Sequence, residues 1–248
     1  MDWRERDGVK WLEATLPRAT AAFSTRIGGV SEGAFASLNL GLFTDDEPGA
    51  VLANRGRLAS ALGRDPDGFL FGHQVHGAEL LARDRAPEPN PFVEPTARPL
   101  ESDGQITATI ELTPLVQVAD CLPVALSGER GVAMLHCGWR GLAAGIVSSG
   151  AEAVGGTAAA IGPGIGPCCF EVGPEVTAQF DDLGPGIAAG RMLDLPEIAR
   201  RLLAEAGVET VETSDLCTSC ESELFFSHRR DRGTTGRQAG VVWIDADG

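Results

Sequence analysis

Residues 124 to 141, VALSGERGVAMLHCGWRG, contain two apolar strand patterns separated by a glycine-bounded turn at 128 to 131. Small, β-branched and apolar residues around such a turn predict two antiparallel strands joined as a hairpin. The second strand runs directly into His136, Cys137 and Arg140. Because the chain has four histidines in total, one placed where a buried strand opens into a turn raises the question of its function.

Helices are predicted between the strands from their terminal residues. Proline is favoured in the first helical turn, aspartate caps the N-terminus, and glycine ends the helix. The expected helices extend from Pro48 to Gly63, from near Leu142 to Val154, and from Asp194 to Gly207.

Other segments rich in β-branched and aromatic residues are strand candidates. They are TAAFSTR (20–26), GFLFGHQVHG (68–77), TPLVQVAD (113–120), LPVALSG (122–128), GVAMLH (131–136), TAAAIG (157–162), ELFFSHR (223–229) and AGVVWID (239–245). Strands joined by hairpins, with helices interspersed rather than regularly alternating, predict a mixed-sheet α/β protein and not a doubly wound parallel one.

The bulk composition describes a globular chain. With 248 residues, 43% hydrophobic and 22% charged, we expect a single domain over 1–248. The charged N-terminus does not fit a secretory signal, and no apolar run approaches the ~18 residues of a membrane span, so a cytoplasmic protein is expected. A net charge of −15 argues against nucleic acid and membrane partners, because phosphate affinity depends on basic patches.

A proline-rich stretch, APEPNPFVEPTARPLESDG, occupies residues 86 to 104. Proline lacks the N–H that a sheet ladder needs and favours extended, unpaired backbone. The stretch is therefore expected to be a surface loop or insertion.

Three side chains that commonly bind metals stand where apolar strands meet turns: His76, Cys121 and His136. Two imidazoles and one thiolate suit Zn²⁺, which takes three protein ligands at catalytic sites and leaves a fourth position open. A satisfied core residue is the commoner explanation of each. His73 is excluded from the set, because an odd separation on a strand would send it to the opposite face from His76.

The six cysteines lie at positions 121, 137, 168, 169, 217 and 220. In a reducing compartment, free thiols or metal ligands are favoured over disulfides. Cys217 and Cys220 form a CxxC, but a zinc ribbon needs two such pairs. These thiols are interpreted as structural or incidental, with redox chemistry as the less favoured alternative.

Two arginine-containing segments are candidate anion sites. HRRDRGTTGRQ, 228 to 238, gathers guanidinium groups that could bind phosphate bidentately, although a solvated loop held by ion pairs explains it equally well. FSTRIGGVS, 23 to 31, combines Arg26 with a glycine pair that permits close backbone approach. It is also compatible with a plain turn.

Several motifs together closely resemble the YfiH family, also called the PgeF or laccase-domain family. They are FSTRIGGVS, SLNLG, HQVHG, ADCLPV, HCGWRG, GPGIGPCCFEVG and FFSHRRDRGTTGRQAG, in the family's order from about residue 23 to 244. The resemblance implies a four-layer α/β/β/α sandwich with mixed sheets, and one zinc held by His76, Cys121 and His136. Cys137 stands where alanine is common, and it should point away from the metal because strand neighbours alternate faces.

The resemblance also implies phosphorolysis of adenosine, inosine, guanosine and methylthioadenosine, together with adenosine deamination. Some members of the family act in peptidoglycan quality control. The older laccase label conflicts with the composition, because four histidines cannot build a blue-copper centre and a trinuclear cluster.

We expect phosphate and nucleoside to be the small-molecule partners, with Arg26, Arg140 and Arg229 orienting phosphate. Asp120 or Asp103 would handle the proton that the departing purine needs. For deamination, zinc would lower the pKa of water toward ~7. The expected catalytic residues are Asp120 and Arg140, and the expected substrate-binding residues are Arg26, Asn39, Asp103 and Arg229.

Two other functions remain open from the sequence. A cysteine hydrolase or deamidase acting on peptidoglycan-related substrates would use Cys121 as nucleophile and His136 as base. A non-catalytic zinc-binding module would need a fourth protein ligand, either His73 or Cys137, to close the site.

Overall fold

The computed structural model describes residues 1–246. It contains fourteen strands: β1 (Asp2–Arg6), β2 (Val9–Leu16), β3 (Ala19–Ser24), β4 (Phe69–Leu70), β5 (Leu80–Ala82), β6 (Gly104–Thr107), β7 (Thr113–Val118), β8 (Leu122–Gly128), β9 (Gly131–Cys137), β10 (Gly156–Ile161), β11 (Ala188–Ala189), β12 (Met192–Leu193), β13 (Thr210–Thr213) and β14 (Gln238–Ile244). The α-helices are α1 (Pro48–Leu62), α2 (Trp139–Ala143), α3 (Ile146–Val154), α4 (Pro174–Thr177) and α5 (Leu195–Glu205).

Twelve of these strands form two six-stranded mixed sheets. The first sheet has the order β1-β2-β3-β14-β7-β4, and the second has the order β13-β10-β8-β9-β6-β5. The predicted hairpin is formed by β8 and β9, with Gly128 opposite Gly131. Within residues 1–246, no helix combines the length and apolar character that crossing a bilayer would require.

Alternation along the strands explains why the two sheets stack. In β9, Val132 and Met134 face the first sheet, whereas Ala133 and Leu135 belong to the core beneath the helices of the second. Side chains at successive strand positions point to opposite faces, so each central strand contributes to two cores.

Each sheet also packs helices on its outer face. Buried residues of α1 lie against the first sheet, and those of α2, α3 and α5 lie against the second. The layers are therefore helix, sheet, sheet and helices. The four-layer mixed α/β arrangement expected from the sequence is confirmed.

The helix boundaries follow the predicted terminal residues closely. Helix α1 begins at Pro48 and ends before Gly63, whose left-handed φ of 66° suits glycine. Asp194 caps α5 by accepting a hydrogen bond from the backbone N–H of Glu197 at 3.0 Å. The helix predicted from near Leu142 to Val154 is divided into α2 and α3, because Gly145 adopts a φ of 85° between them.

Two predicted strands are wrong in part or whole. Only Phe69–Leu70 of the segment 68–77 is a strand. Segment 223–229 forms turns instead, because the side chain of Gln238 satisfies the backbone of Phe226: its Oε1 accepts from the N–H at 2.8 Å and its Nε2 donates to the carbonyl at 3.1 Å. Seven strands were not predicted: β1, β2, β5, β6, β11, β12 and β13.

The proline-rich stretch lacks regular strands and helices until Gly104, as expected, but it is not wholly a surface loop. Phe92 is fully buried and stacks on Phe69, with ring centroids 4.3 Å apart. The buried Arg55 donates to the carbonyls of Pro91 and Phe92 at 2.9 and 3.0 Å. The stretch is thus fixed to the outer face of the first sheet.

We predict that Phe92→Ala lowers the free energy of unfolding by about 3 to 5 kcal/mol, since it removes a fully buried aromatic ring. Val93→Ala, at a neighbouring position that is 36% exposed, should change it by less than about 1 kcal/mol. Urea unfolding of both variants makes the comparison. Equal stabilities would show that the stretch is not anchored through Phe92.

Candidate metal centre

His76, Cys121 and His136 meet at one end of the space between the sheets. One potential ligand atom from each lies within 4.8 Å of the others. Cys121 occupies the bend where the chain passes from β7 of the first sheet to β8 of the second, and His136 is the penultimate residue of β9. The crossing between sheets therefore brings the thiol to the imidazole.

The carboxylate of Asp103 holds two of the candidate ligands in position. It is fully buried and lies just before β6. Its Oδ1 is 2.7 Å from Nδ1 of His136 and accepts the backbone N–H of His76 at 2.9 Å. Its Oδ2 accepts the N–H groups of Val75 and Gly77 at 3.1 and 2.7 Å. One carboxylate thus fixes two of the three candidate ligands.

The backbone at His76 adopts a conformation that is unusual for a residue with a side chain. Its φ is 63°, in the left-handed region. Three successive N–H groups, from Val75 to Gly77, converge on the Asp103 carboxylate, and such nests bind anionic groups well. The loop therefore holds the strained conformation that presents the His76 ring.

The electrostatics follow from this geometry. Burial would raise the pKa of Asp103, but hydrogen bonds from His136, Gly77 and Val75 outweigh it and place the pKa below its usual range. Burial opposes charge on His136 and Cys121 as well, yet each favours the charged form of the other, so the pKa of the imidazole is raised and that of the thiol is lowered. The site therefore favours a thiolate, which is the form that binds metals.

Hydrogen bonding also determines which nitrogen of His136 is available. Because Nδ1 is engaged by Asp103, Nε2 is left to face Cys121 and His76. A carboxylate behind a histidine ligand is the usual arrangement in zinc sites, where it fixes the ring orientation.

Gly138 provides the space in which the ligands approach. A Cβ at this position would lie 3.0 Å from Sγ of Cys121 and 3.3 Å from Cδ2 of His76. A side chain there would displace both groups. The HCGWRG sequence therefore needs glycine for close packing, and the donor set and its confined geometry fit a single metal ion.

The arrangement leaves room for a reactant. Among residues 1–246, no fourth His, Cys, Asp or Glu joins this group. Cys137 is buried in the core under the helices, on the opposite face of β9 from His136, as expected. His73 lines the neighbouring pocket without joining the ligand group.

A pocket of about 220 Å³ opens over the candidate ligands. Its lining residues are Gly41, Phe43, Thr44, Phe71, Gly72, His73, Gln74, His76, Gln117, Ala119, Cys121, His136 and Arg237. The volume is somewhat below the ~300 to 1,000 Å³ of pockets that enclose drug-sized ligands. It suits a small molecule that projects partly into solvent.

Asp120 and Arg229, both expected in the active site, are engaged with each other and with structural partners. The buried Asp120 accepts hydrogen bonds from Oγ1 of Thr218 and the backbone N–H of Arg229, both at 2.7 Å. The guanidinium of Arg229 donates to the Glu171 carbonyl at 2.9 Å. Neither residue lines the pocket.

The remaining expected substrate-binding residues are also placed outside the pocket lining. Arg26 donates to the Ala36 carbonyl at 2.7 Å and lies over the Phe226 ring, in a separate surface depression. The fully buried Asn39 accepts the N–H of Arg237 at 2.8 Å and so supports the pocket from behind. Asp103 supports the candidate ligands instead of facing a substrate.

Arg140 is differently placed from these residues. It lies in α2, which begins directly after Gly138, and its guanidinium rests over the Trp139 ring at 4.3 Å. The residue is exposed. Its side chain is therefore accessible to solvent, and it does not line the pocket either.

Of the pocket-lining residues, sequence reasoning named only the three candidate ligands, and those that it missed include Phe43, His73 and Arg237. Arg237 belongs to the predicted arginine-rich segment, but nothing in the sequence distinguished it from its neighbours. His73 was set aside on the assumption of a strand that does not form there. One signal in the sequence could have indicated the pocket. Gln117 is a polar residue inside the apolar run LVQV, and it lines the pocket.

Comparison with known proteins gives a consistent result. A family model described as multi-copper polyphenol oxidoreductase laccase matches residues 20–245. The chain is 39% identical to "Purine nucleoside phosphorylase YfiH" of Shigella flexneri, over 92% of this chain and 96% of that one. It is 36% identical to "Purine nucleoside phosphorylase YlmD" of Geobacillus stearothermophilus, over 96% of each.

A solved structure shares the fold. The crystal structure of the Bacillus licheniformis hypothetical protein YfiH superposes with a TM-score of 0.87 at 33% identity, covering 98% of this chain and 99% of that one.

We predict that Asp103→Asn weakens metal binding about 10- to 100-fold, because the amide cannot accept the four hydrogen bonds that position His76 and His136. Competition with a chromogenic chelator measures the affinity, and circular dichroism checks the fold. Asp84→Asn, on the exposed surface, is the matched control. Unchanged affinity in a folded Asp103→Asn variant would contradict the supporting role of this carboxylate.

Proposed function

We propose, since this chain belongs to the multi-copper polyphenol oxidoreductase laccase family, also known as the YfiH family, that it is a zinc-dependent purine nucleoside phosphorylase. Its named relatives support an enzymatic role. The observation that carries the proposal is the open group of His76, Cys121 and His136 at the base of a small-molecule pocket.

Zinc is the proposed metal because of the donor set and its surroundings. Imidazole nitrogen and thiolate sulfur are ligand types that zinc prefers, and catalytic zinc takes three protein ligands with a fourth position open. A laccase needs several copper centres, and the chain has four histidines, of which two belong to this group. Laccase chemistry therefore receives no support from the residues.

Arg237 is the proposed phosphate-binding residue within the pocket. Its Nη1 donates to the carbonyls of Thr235 and Gly236 at 3.0 and 2.9 Å. Burial lowers its pKa, although Cys121 and Asp120 act in the opposite direction. An arginine stays charged under such conditions, so it supplies a fixed positive charge beside the candidate ligands. Arg140 is also proposed to contact phosphate.

The purine is proposed to bind against the aromatic wall of the pocket. Phe43 is 59% exposed, and its ring centroid lies 5.4 Å from that of His73. An exposed aromatic ring beside a pocket offers a stacking surface for a planar base. His73 is placed to donate a proton or a hydrogen bond to a base nitrogen, a task that we expected of Asp120 or Asp103.

Phosphorolysis requires that phosphate, ribose and base be held in one geometry. Arg237 and Arg140 orient phosphate, and Phe43 stacks on the base. The side chain of Gln74, which also lines the pocket, is held rigidly by two hydrogen bonds with the backbone of Gln117, at 2.7 and 2.8 Å. A zinc ion bound by the three ligands would supply Lewis-acid chemistry. Adenosine deamination is proposed as a second activity of the same site.

We predict that adenosine and inorganic phosphate yield ribose 1-phosphate and adenine, and that Cys121→Ala loses both this product and the metal. Cys137→Ala should retain both, since Cys137 lies in the helical core. Chromatography of the products with and without phosphate, and elemental analysis of the protein, provide the readouts. Product formation by a metal-free Cys121→Ala protein would overturn the assignment.

Arg237→Gln is expected to raise the KM for phosphate at least tenfold, because a charge-assisted contact of about 1.5 to 3 kcal/mol is lost. The KM for the nucleoside should change much less. Arg232→Gln, at an exposed position of the same segment, should leave both constants unchanged. If the KM for phosphate stays constant in a folded Arg237→Gln protein, phosphate binds elsewhere.

A cysteine hydrolase is the second candidate function, favoured by the chain of contacts from Asp103 through His136 to Cys121. A lowered thiol pKa, an adjacent imidazole and an orienting carboxylate also activate nucleophilic cysteines. The metal decides between the two functions, because coordination removes the thiolate as a nucleophile.

We predict that Cys121 in the purified protein resists iodoacetamide until a chelator is added. Intact-mass and peptide analysis measure alkylation of this residue. Rapid alkylation before chelation, in a protein without stoichiometric zinc, would favour the hydrolase instead.

A further inference from the structure

A second group of metal-binding side chains lies apart from the pocket. Cys168, Cys169, Cys217 and Cys220 bring four thiols together, with all four Sγ atoms within 4.8 Å of one another. The Sγ atom of Cys220 is 3.4 Å from those of Cys168 and Cys169. In a tetrahedral zinc tetrathiolate with Zn–S bonds of about 2.3 Å, the sulfur atoms are about 3.8 Å apart. The observed group has the corresponding size.

A backbone contact links the first sulfur of the CTSC turn, 217 to 220, to the segment that carries the other two cysteines. The N–H of Gly166 donates to Sγ of Cys217 at 3.3 Å. Backbone N–H groups commonly donate to the sulfur atoms of metal-binding cysteines in this way.

Two consecutive arginines hold the cysteine-bearing segments together. Arg229 donates to the carbonyls of Cys169 and Glu171, at 3.4 and 2.9 Å. Arg230 donates to the carbonyl of Thr218 at 2.8 Å. A divalent ion with four thiolates carries two net negative charges. The guanidinium of Arg229 supplies a positive charge beside it, whereas that of Arg230 is paired with the carboxylate of Asp231 at 2.8 Å.

We propose that Cys168, Cys169, Cys217 and Cys220 form a second, structural zinc site with four thiolate ligands. It joins the turn after β10 to the turn after β13, segments already linked by the backbone bridge between Gly164 and Cys217. A site with four protein ligands is closed, so its contribution is to stability and not to catalysis. The proposal does not depend on the proposed phosphorylase activity.

The site is connected to the candidate active centre through one residue. Thr218, inside the CTSC turn, donates to the carboxylate of Asp120 at 2.7 Å, and Asp120 precedes Cys121. Loss of the second ion is therefore expected to loosen the bend that positions Cys121. The effect on catalysis would be indirect.

Elemental analysis of the purified protein tests the proposal. The wild-type chain should contain two zinc ions, and a Cys168→Ser/Cys220→Ser variant should contain one and unfold at a lower temperature. A His76→Ala/His136→Ala variant should also contain one, so the two ions are counted separately. Cys137→Ala, which alters a thiol outside both groups, should retain two.

A measurement on the unmodified chain covers the case in which the serine variant does not fold. In the wild-type protein, the exposed Cys168 and Cys220 should resist alkylation until a chelator is added. Any one of three results would overturn the proposal: one zinc per chain that the serine variant keeps, iron with inorganic sulfide in place of zinc, or a mass showing that these thiols are joined as disulfides.

Discussion

The buried carboxylate of Asp103 is the constraint on which the candidate active centre depends. An unpaired charge in this position would be strongly unfavourable, but four donors satisfy it: three backbone N–H groups of the loop 75–77 and the His136 ring. The same bonds hold His76 in a left-handed conformation and fix the tautomer of His136. The requirement to satisfy one buried charge thereby creates a metal-binding geometry.

The two-sheet architecture explains why this geometry can also be open. Cys121 lies where the chain crosses from one sheet to the other, at the end of the core between them. At that end, residues of the loop 71–76 line the pocket together with Phe43, Thr44 and Arg237. The fold therefore fixes its ligands on strands and bends while it leaves one side to solvent.

Apolar patterns and capping residues are local signals, so they predicted a mixed-sheet α/β protein and the helix ends, whereas the four layers were implied by the family resemblance. The sequence located His76, Cys121 and His136, which the structure brings together, but it could not place Arg26, Arg229 or Asp103. Those side chains form hydrogen bonds with backbone carbonyl and N–H groups of other segments of the chain. Which arginine faces a pocket is decided by tertiary packing, and the sequence carries no local trace of it.

The same limit explains the cysteines. Spacing rules recognise pairs that are close in the chain, so CTSC was visible as half of a site, whereas the adjacent Cys168 and Cys169 did not form the second half of any known pattern. The tertiary structure brings the four thiols into one group by placing two different turns side by side. Asp120 then binds Thr218 of one turn and the N–H of Arg229, whose guanidinium holds the other. Because Asp120 precedes Cys121, one hydrogen-bonded carboxylate connects the four-thiol group to the pocket.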